Sequence, residues 1–249
     1  GDTKSAARLL RQHIAAQPDD PDACNLLGML RLDHADVATI PAEICRSLSL
    51  VPNDAAFLHN LGLAALRLGN LATALEALRQ AAALVPDFAD AHLDLGTLAA
   101  RYSDYPTALC FYDRTVALSP DHVIGRQNRG WARLALGDFD RGFADYAWRW
   151  RMPAFSALTE GLAGIPWDGE PFDGTLLLVA EQGFGDTLQF CRLAPLAAKR
   201  ARRVVLEVQP ELQSLLVRSL PGIEVCGRHP DFPAPASRPA HDRRAALLD

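Results

Sequence analysis

The sequence has few cysteines, and none of them is spaced for joint chemistry. Five occur in 249 residues, namely Cys24, Cys45, Cys110, Cys191 and Cys226. Zinc sites and disulfide frameworks use cysteines in close pairs such as CxxC, and the sequence has no such pair. It therefore predicts neither a metal site nor a disulfide-stabilised fold, and a reducing cytoplasm is the expected location.

Long apolar runs and a large excess of one charge are also missing. No stretch approaches the roughly 20 apolar residues that a membrane-spanning helix needs. The first residues, GDTKSAARLL, lack the hydrophobic core of a secretion signal. The net charge of -5 gives no reason to expect a nucleic acid or an anionic membrane as partner. We therefore expect no membrane insertion and no nucleic-acid binding.

What the sequence does contain is a repeat of fixed period. Four prolines and four glycines each recur every 34 residues, namely Pro18, Pro52, Pro86 and Pro120, and Gly28, Gly62, Gly96 and Gly130. This recurrence of two residue types in one register resembles the tetratricopeptide repeat, which is a helix-turn-helix unit of about 34 residues. The resemblance predicts an α-solenoid over residues 1–152.

Each recurring residue has a physical reason in such a unit. The four glycines let the two helices of a repeat approach closely, and Ala74 and Ala108 do the same from the second helix. Gly69 and Gly137 are expected to end first helices in a left-handed conformation. The prolines cannot continue a helix and so end the second one. Because one repeat cannot bury its apolar stripe alone, neighbouring repeats are expected to stack.

A column of mostly polar residues marks the inner surface of the expected superhelix. The residue two before each repeated glycine is Leu26, Asn60, Asp94 or Asn128. In the O-GlcNAc transferases, which such an array resembles, an asparagine at this position holds peptide backbone. That resemblance implies a peptide groove at Asn60, Asp94 and Asn128, with a protein or peptide acceptor as partner. An amide both donates and accepts hydrogen bonds, as a peptide does. The alternative is a solvated wall without a ligand.

The end of the array and the stretch after it differ in composition. Residues 146–151 read YAWRWR, alternating aromatic and arginine side chains. Such side chains stack on bases in single-stranded nucleic-acid sites, but the acidic net charge favours a role in capping the array. From 153 to 174 the helical period is lost and glycine and proline are frequent, which predicts a linker.

Beyond residue 174 the pattern changes to alternating strands and helices. Strands are predicted at 176–180, 204–208 and 223–226, with helices at 187–200 and 211–219 between them. This alternation predicts a parallel sheet with right-handed crossovers, a partial α/β Rossmann-like domain over 175–227. The remaining 228–249 is rich in proline, alanine and arginine and is predicted to be a disordered tail.

The string EQGFGD, residues 181–186, stands where the first strand meets the first helix. Leu188 holds the place of the third glycine of the dinucleotide fingerprint, and a Walker GK[ST] is missing, so neither NAD nor ATP is predicted. The residues predicted to line a substrate loop are Glu181, Gln182, Gly183 and Gly185. Asp186 is either a helix N-cap or a carboxylate at the C-terminal edge of the sheet, where it can take a proton from an acceptor hydroxyl.

The stretch WDGE…LLLVAEQGFGDTLQFCRLAPL…VVLEVQPEL resembles the glycosyltransferase domain of bacterial tetratricopeptide proteins. That domain is similar to the heptosyltransferases and, more loosely, to the O-GlcNAc transferases, all of GT-B architecture with two Rossmann-like domains. Gly185 and Asp186 match the Gly-Asp pair of heptosyltransferases, and Pro195 matches a later proline. The resemblance implies that Asp186 is the catalytic base for the acceptor and that a nucleotide sugar is the donor substrate, with no other cofactor.

The sequence departs from that architecture because the second Rossmann-like domain is missing. The resemblance covers residues 1 to 227, and in these families most of the donor site lies on the second domain. Three hypotheses stay open. The chain is a C-terminally incomplete protein glycosyltransferase that is inactive alone, a non-catalytic protein–protein interaction scaffold, or a pseudoenzyme that binds a carbohydrate or a nucleotide.

Overall fold

In a computed structural model, the chain forms two compact units, Gly1–Tyr146 and Ala147–Asp249. The structure describes residues 3–32, 41–153, 165–181, 183–228 and 240–247. In these ranges the first unit is helical, and the second contains a β-sheet together with short helices.

The described residues of the first unit form nine helices. They are α1 (Thr3–Ala16), α2 (Pro21–Leu32), α3 (Ala42–Leu50), α4 (Ala55–Arg67), α5 (Leu71–Leu84), α6 (Ala89–Arg101), α7 (Tyr105–Leu118), α8 (Val123–Ala135) and α9 (Phe139–Tyr146). Helices α1, α3, α5 and α7 each end two residues before a recurring proline. The predicted placing of these prolines, after the second helix of a repeat, is therefore confirmed.

Left-handed residues form the turn between the two helices of a repeat. Gly69 has a φ of 74° and Gly137 a φ of 83°, as the sequence predicts. The equivalent place in the intervening repeat is held by Ser103, at a φ of 58°. This conformation costs a side chain more than it costs glycine. The repeat geometry therefore fixes this turn even where glycine is absent.

Side-chain caps fix where several helices begin. The side chains of Asp54, Asn70 and Asp104 each accept a hydrogen bond from the backbone N–H three residues later, at 2.9, 3.2 and 3.2 Å. A cap of this kind stabilises a helix by about 1 kcal/mol. Asp54, Asn70 and Asp104 are therefore the N-caps of α4, α5 and α7, in that order.

The recurring glycines lie where two helices of one repeat meet. A methyl group on Gly62 would come within 2.7 Å of Cγ of Leu78, and one on Gly96 within 2.6 Å of Cε1 of Tyr112. Close approach is therefore the reason for glycine at both places. Apolar residues of α4, α5 and α6 pack into one buried cluster that spans two repeats. This packing between repeats makes the first unit an α-solenoid.

The second unit is built on a parallel sheet. Its strands are β1 (Ile165–Pro166), β2 (Phe172–Val179), β3 (Ala201–Val208), β4 (Glu224–Gly227) and β5 (Arg243–Ala246), in the order β1-β5-β2-β3-β4. The helices are α10 (Phe184–Phe190), α11 (Ala194–Ala197) and α12 (Pro210–Ser219), with 3-10 turns at Ala147–Arg151 and Cys191–Leu193. In the register of β2 and β3, Leu176 pairs with Val204 and Leu178 with Leu206.

The main core of this unit lies on one face of the sheet. Leu176, Leu178 and Leu206 are buried there together with Leu212 and Leu216 of α12. The other face carries a smaller buried cluster formed by residues 177, 179 and 205. Strands buried on both faces read as continuous apolar runs, and this is why β2 and β3 are recognisable in the sequence.

Strand β5 contradicts part of the sequence prediction. It lies between β1 and β2, whereas the sequence predicts a disordered tail over 228–249. The backbone N–H of Asp242 donates to the carbonyl of Thr175 at 3.0 Å, and that of Leu247 donates to the carbonyl of Val179 at 2.9 Å. The carboxylate of Asp242 also accepts the N–H of Thr175 at 2.8 Å. The sequence of this strand, RRAA, contains no apolar run, and the sequence pattern therefore does not predict it.

Two other boundaries differ from the prediction. Strand β1 and the first residues of β2, from Phe172, fall inside the predicted linker 153–174. The single helix predicted over 187–200 is instead divided into α10, a 3-10 turn and α11. Pro195 stands near the start of α11, where its missing N–H costs little and where a new helix can begin.

Candidate functional site

The predicted groove residues lie on the first helices of three successive repeats. Asn60 is on α4, Asp94 on α6 and Asn128 on α8, and all three are half-buried. Leu26 takes the same repeat position on α2 and is exposed. Because these helices recur at one repeat spacing, the three polar residues form a row along the array, here called the groove column.

The middle member of the groove column is already engaged within the chain. Nε2 of His59 on α4 lies 2.7 Å from Oδ2 of Asp94 on α6, and the two side chains are only 12% and 18% exposed. The ring of His59 also lies 4.9 Å from the ring of Phe88. The sequence pattern did not single out His59. Asp94 therefore links two repeats, and its partner occupies part of its acceptor capacity.

A cavity opens beside Asn128, between the repeat formed by α6 and α7 and the following helix α8. It has a volume of about 270 Å³ and is lined by Thr97, Ala100, Arg101, Tyr105, Tyr112, Asn128, Trp131 and Ala132. We call it the groove cavity. Trp131 is 60% exposed, although it is the largest side chain of α8. An exposed tryptophan beside a concave surface is typical of binding sites.

Polar groups inside the groove cavity form a short network. The Tyr112 hydroxyl and the Asn128 amide each lie 3.5 Å from Oγ1 of Thr97, which in turn donates to the backbone carbonyl of Leu93 at 3.0 Å. Burial raises the pKa of Tyr112, because a phenolate would be poorly solvated there. The Asn128 amide and the Tyr112 hydroxyl thus converge on one threonine oxygen, and burial favours the neutral form of the tyrosine.

A charged cluster replaces part of the apolar interior in the last repeat. The buried carboxylate of Asp145 on α9 accepts from Arg129 at 2.7 and 2.9 Å and from Arg133 at 2.5 Å. Both arginines also bond to Asp113 on α7. The hydrogen bond to Asp145 raises the pKa of Arg129 further. These contacts tie α7, α8 and α9 together, and sequence periodicity did not reveal them.

The predicted substrate loop contains one residue with a structural role. Glu181 is buried, and its carboxylate accepts two hydrogen bonds from Arg149, at 3.0 and 3.1 Å, with both side chains 1% exposed or less. Arg149 belongs to the YAWRWR segment, and both members of this ion pair lie in the α/β unit. Gln182 lies outside the described residues.

The two loop glycines are exposed and have room in front of them. Gly183 is the N-cap of α10, with φ -72° and ψ 172°, and Gly185 lies in its first turn. Among the described residues, nothing lies within 4 Å of a methyl group built on either glycine. Neither glycine has a positive φ, so the turn itself does not require them.

Asp186 is the third residue of α10 and is half-buried. The N-cap interpretation of Asp186 is wrong, because Gly183 holds that position. The carboxylate follows β2, at the edge where the parallel strands end.

Other polar residues lie at the ends of the same strands. The Thr187 hydroxyl is 2.9 Å from Oε1 of Gln209, which follows β3. The buried Glu207 at the end of β3 accepts from Arg228, which follows β4, at 3.3 Å. Arg228 also donates to the backbone carbonyl of Ala180. These contacts fix the strand ends on either side of the glycine loop.

The described residues offer neither a metal site nor a membrane span. They contain no group of three or more His, Cys, Asp or Glu side chains that could hold a metal ion. None of their helices is long and apolar enough to cross a membrane.

Comparison with known families bears on the helical unit. A family model described as tetratricopeptide repeat matches residues 59–123. Those residues are tetratricopeptide repeats. The matched segment contains Asp94 and most of the groove cavity, and it runs from α4 to the start of α8. No curated protein matches the chain.

Solved structures show the same fold. A crystal structure of MamA is 22% identical, with a TM-score of 0.52, over 61% of this chain and 88% of MamA. The pilF protein of Pseudomonas aeruginosa is 17% identical, with a TM-score of 0.56, over 64% of this chain and 73% of pilF. A thermophilic TPR protein of Thermus thermophilus is 22% identical, with a TM-score of 0.53, over 61% of this chain and 84% of that protein. The likeness supports a TPR solenoid and does not extend to a glycosyltransferase.

Proposed function

We propose that the chain is a protein-interaction module whose repeat groove binds an extended segment of a partner protein. The observation that carries this proposal is the groove cavity beside Asn128. It combines the exposed indole of Trp131, the side-chain amide of Asn128 and a space of about 270 Å³. Tetratricopeptide repeats as a class offer such surfaces to protein partners, which supports the proposal.

The chemistry of the cavity fits a peptide better than a small polar metabolite. Tyr105, Tyr112 and Trp131 offer rigid apolar surface for one side chain, while Asn128 offers an amide to a backbone group. Arg101 at the rim favours a partner with an acidic residue nearby. In this proposal Asn60 extends the contact along the groove column, and Asp94 fixes the angle between repeats through His59.

The test is selection of displayed random 12-residue peptides on the full chain, followed by affinity measurements on single peptides. Asn128→Ala and Trp131→Ala are each expected to weaken the selected peptides at least tenfold. Tyr102→Ala is the matched control, because Tyr102 is an exposed aromatic residue outside the cavity lining. Peptides whose affinity is the same in all three variants would show that the groove is not the binding site.

A second candidate function is glycosyl transfer by the α/β unit. The observation that favours it is the open space before Gly183 and Gly185, at the end of β2, with Asp186 one residue further on. In the proposed step the Asp186 carboxylate takes the proton of an acceptor hydroxyl, and the oxygen attacks the anomeric carbon. The bond from that carbon to the phosphate oxygen breaks, and a nucleoside diphosphate leaves.

Two measurements test this second candidate. Calorimetry with UDP- and GDP-sugars is expected to show saturable binding if the α/β unit contributes to a donor site. Transfer of radiolabelled sugar to protein is expected to fall at least a hundredfold in Asp186→Asn, since a general base contributes about 10²–10⁴-fold. If Asp186→Asn transferred sugar at the parent rate, Asp186 would not be the general base. If calorimetry shows no binding of a nucleotide sugar and no sugar is transferred, only the proposal of a protein-interaction module remains.

We also propose a reducing compartment, with the cytoplasm as the simplest case. The five thiols at 24, 45, 110, 191 and 226 are all free, which supports this. Fractionation of cells that produce the chain, with blotting of each fraction, tests the location directly, and recovery in an oxidising compartment would contradict it.

A further inference from the structure

Helix α8 is capped by a histidine, whereas α2 and α4 are capped by aspartates. The equivalent positions, 34 residues apart, are Asp20, Asp54, Phe88 and His122. The two aspartates accept the backbone N–H three residues later, at 3.0 and 2.9 Å, and Phe88 makes no side-chain cap. Nδ1 of His122 accepts the N–H of Gly125 at 3.0 Å. A ring that titrates near neutral pH therefore caps the helix that carries part of the groove cavity.

Two hydrogen bonds determine which nitrogen of the His122 ring carries the proton. The backbone N–H of Gly125 is a donor, so Nδ1 must present a lone pair to it. Nε2 lies 3.0 Å from Oδ1 of Asp90 on α6, and an ionised carboxylate can only accept. Nε2 therefore carries the proton. One neutral tautomer satisfies both neighbours, and the side chain of His122 is only 17% exposed.

A second proton on this ring breaks the cap of α8. The imidazolium carries an N–H at both nitrogens, so Nδ1 changes from acceptor to donor and can no longer accept from Gly125. That glycine is buried beside α7, where a methyl group on it would lie 2.8 Å from Cγ2 of Thr115. Its N–H therefore loses its acceptor at a buried place, which is costly.

The surroundings of the ring show which contacts depend on its charge. Asp90 bonds to the ring, Asp121 is exposed beside it in the chain, and Arg126 one turn later donates to a backbone carbonyl. The contacts from α7 are neutral, since Thr115 packs beside the capped glycine and the carbonyl of Ser119 accepts the backbone N–H of the histidine at 3.0 Å. Both forms of the ring can keep the contact to Asp90, and only the neutral form makes the cap.

We infer that His122 is a proton-dependent positioning residue, which holds the start of α8 near neutral pH and releases it in mild acid. Histidine changes its charge between about pH 5 and 8, whereas carboxylate caps stay charged over that range. Asn128 and Trp131 lie about two turns further along α8, in the lining of the groove cavity. Release of the first turn therefore weakens peptide binding as the pH falls. This consequence rests on the proposed groove function.

The first experiment reads the cap itself and needs no ligand. In the full chain, the nitrogen chemical shifts of the His122 ring report its protonation. Exchange of the Gly125 amide is compared with that in His122→Asn at the same pH, because asparagine is a good cap that does not titrate. The ratio of the parent rate to the variant rate is expected to rise at least threefold from about pH 7.5 to about pH 5.5. A constant ratio, or a ring that stays neutral at about pH 5.5, would overturn the inference.

The second experiment uses groove peptides that contain no histidine. Their affinity for the parent chain is expected to fall at least threefold over the same pH interval and to change less in His122→Asn. The other histidines, including His59, are the same in both chains, so the difference between the two isolates His122. Strengthening of the ion pair with Asp90 would act in the opposite sense. An affinity that rises in acid, or an equal fall in both chains, would therefore overturn the inference. If no peptide binds the groove, the proposed function fails, and amide exchange still decides whether the cap is proton-dependent.

Discussion

At the scale of single residues, the recurring glycines differ in what faces them. A methyl group on Gly62 would meet the flexible side chain of Leu78, whereas one on Gly130 would lie 2.5 Å from the backbone nitrogen of Tyr146 and 2.9 Å from the carbonyl oxygen of Gly142. A side chain can rotate away, but a helix backbone moves only if the helix moves. The same residue type therefore carries unequal constraints along the array.

Gly130→Ala is expected to lower the free energy of unfolding by about 2 kcal/mol, because the overpacking cost exceeds the gain of about 1 kcal/mol in helix propensity. Gly62→Ala is expected to cost less, since Leu78 can adopt another rotamer. Gly185→Ala, which meets open space, is the control and is expected to be neutral or slightly stabilising. Urea denaturation of the three variants checks the order, and equal values for Gly130 and Gly62 would contradict it.

The ion pair between Arg149 and Glu181 supports a second prediction for single residues. Arg149→Met leaves a buried carboxylate without its main partner and is expected to cost about 3–5 kcal/mol. The double variant Arg149→Met/Glu181→Leu removes both charges and is expected to recover most of that loss. Chemical denaturation with a probe in the α/β unit measures both. A double variant as unstable as the single one would show that the pair is not the source of the effect.

At the scale of elements, the sequence predicts structure best where the signal is periodic or continuous. The 34-residue spacing places α4 to α9, and the apolar runs place β2 and β3. The sequence did not predict strand β5, because this strand is held by hydrogen bonds to β2 and has no apolar pattern of its own. The place of Asn128 on the first helix of its repeat was predicted. The ion pairs of His59 with Asp94 and of Arg149 with Glu181 were not, since each joins residues more than thirty positions apart.

Removing β5 is expected to loosen the sheet around β2. A chain that ends at Gly227 lacks the strand that pairs with β2 on one side, and the backbone groups of residues 176–179 lose those partners. We expect faster hydrogen exchange in β2 and little change in α4 to α8. A chain that ends at Leu247 is the control. If exchange in β2 were the same in both chains, β5 would not contribute to the sheet.

Equivalent positions on α7 and α9 are expected to respond differently to the same change. Tyr105→Ser/Leu109→Ser removes side chains that pack on the next repeat, and about 2–4 kcal/mol of stability should be lost. Phe139→Ser/Phe143→Ser changes exposed side chains and should alter stability by less than about 0.5 kcal/mol. Thermal unfolding of the isolated chain compares the two. Comparable losses would mean that Phe139 and Phe143 are covered like their counterparts on α7.

At the scale of the whole molecule, the chain combines two kinds of cooperativity. In the helical unit each repeat contacts its neighbours, so stability is a sum over local interfaces. In the α/β unit, strands far apart in sequence must pair before any core is closed. The two units can therefore respond separately to mutation, and stability measurements need a probe in each.

Residues 1–146 are expected to fold without the rest of the chain, because they form one compact unit. The fragment should show a helical circular dichroism spectrum with a cooperative thermal transition. It should also bind peptides selected on the full chain with the same affinity, within about twofold. Residues 147–249 produced alone serve as the control and should not bind those peptides. A fragment that unfolds at room temperature would show that the array depends on the second unit.

The order of strands in the sheet also has a consequence for protein synthesis. Thr175 and Asp242, which are hydrogen-bonded beside β2 and β5, are 67 positions apart in the chain. At about 5–20 residues per second, a ribosome needs roughly 3–13 s to pass from one to the other. During that interval one edge of β2 lacks its neighbour, while the repeats have already emerged and can stack. An unpaired edge can pair with other strands, so β2 is open to mispairing during synthesis until β5 is made.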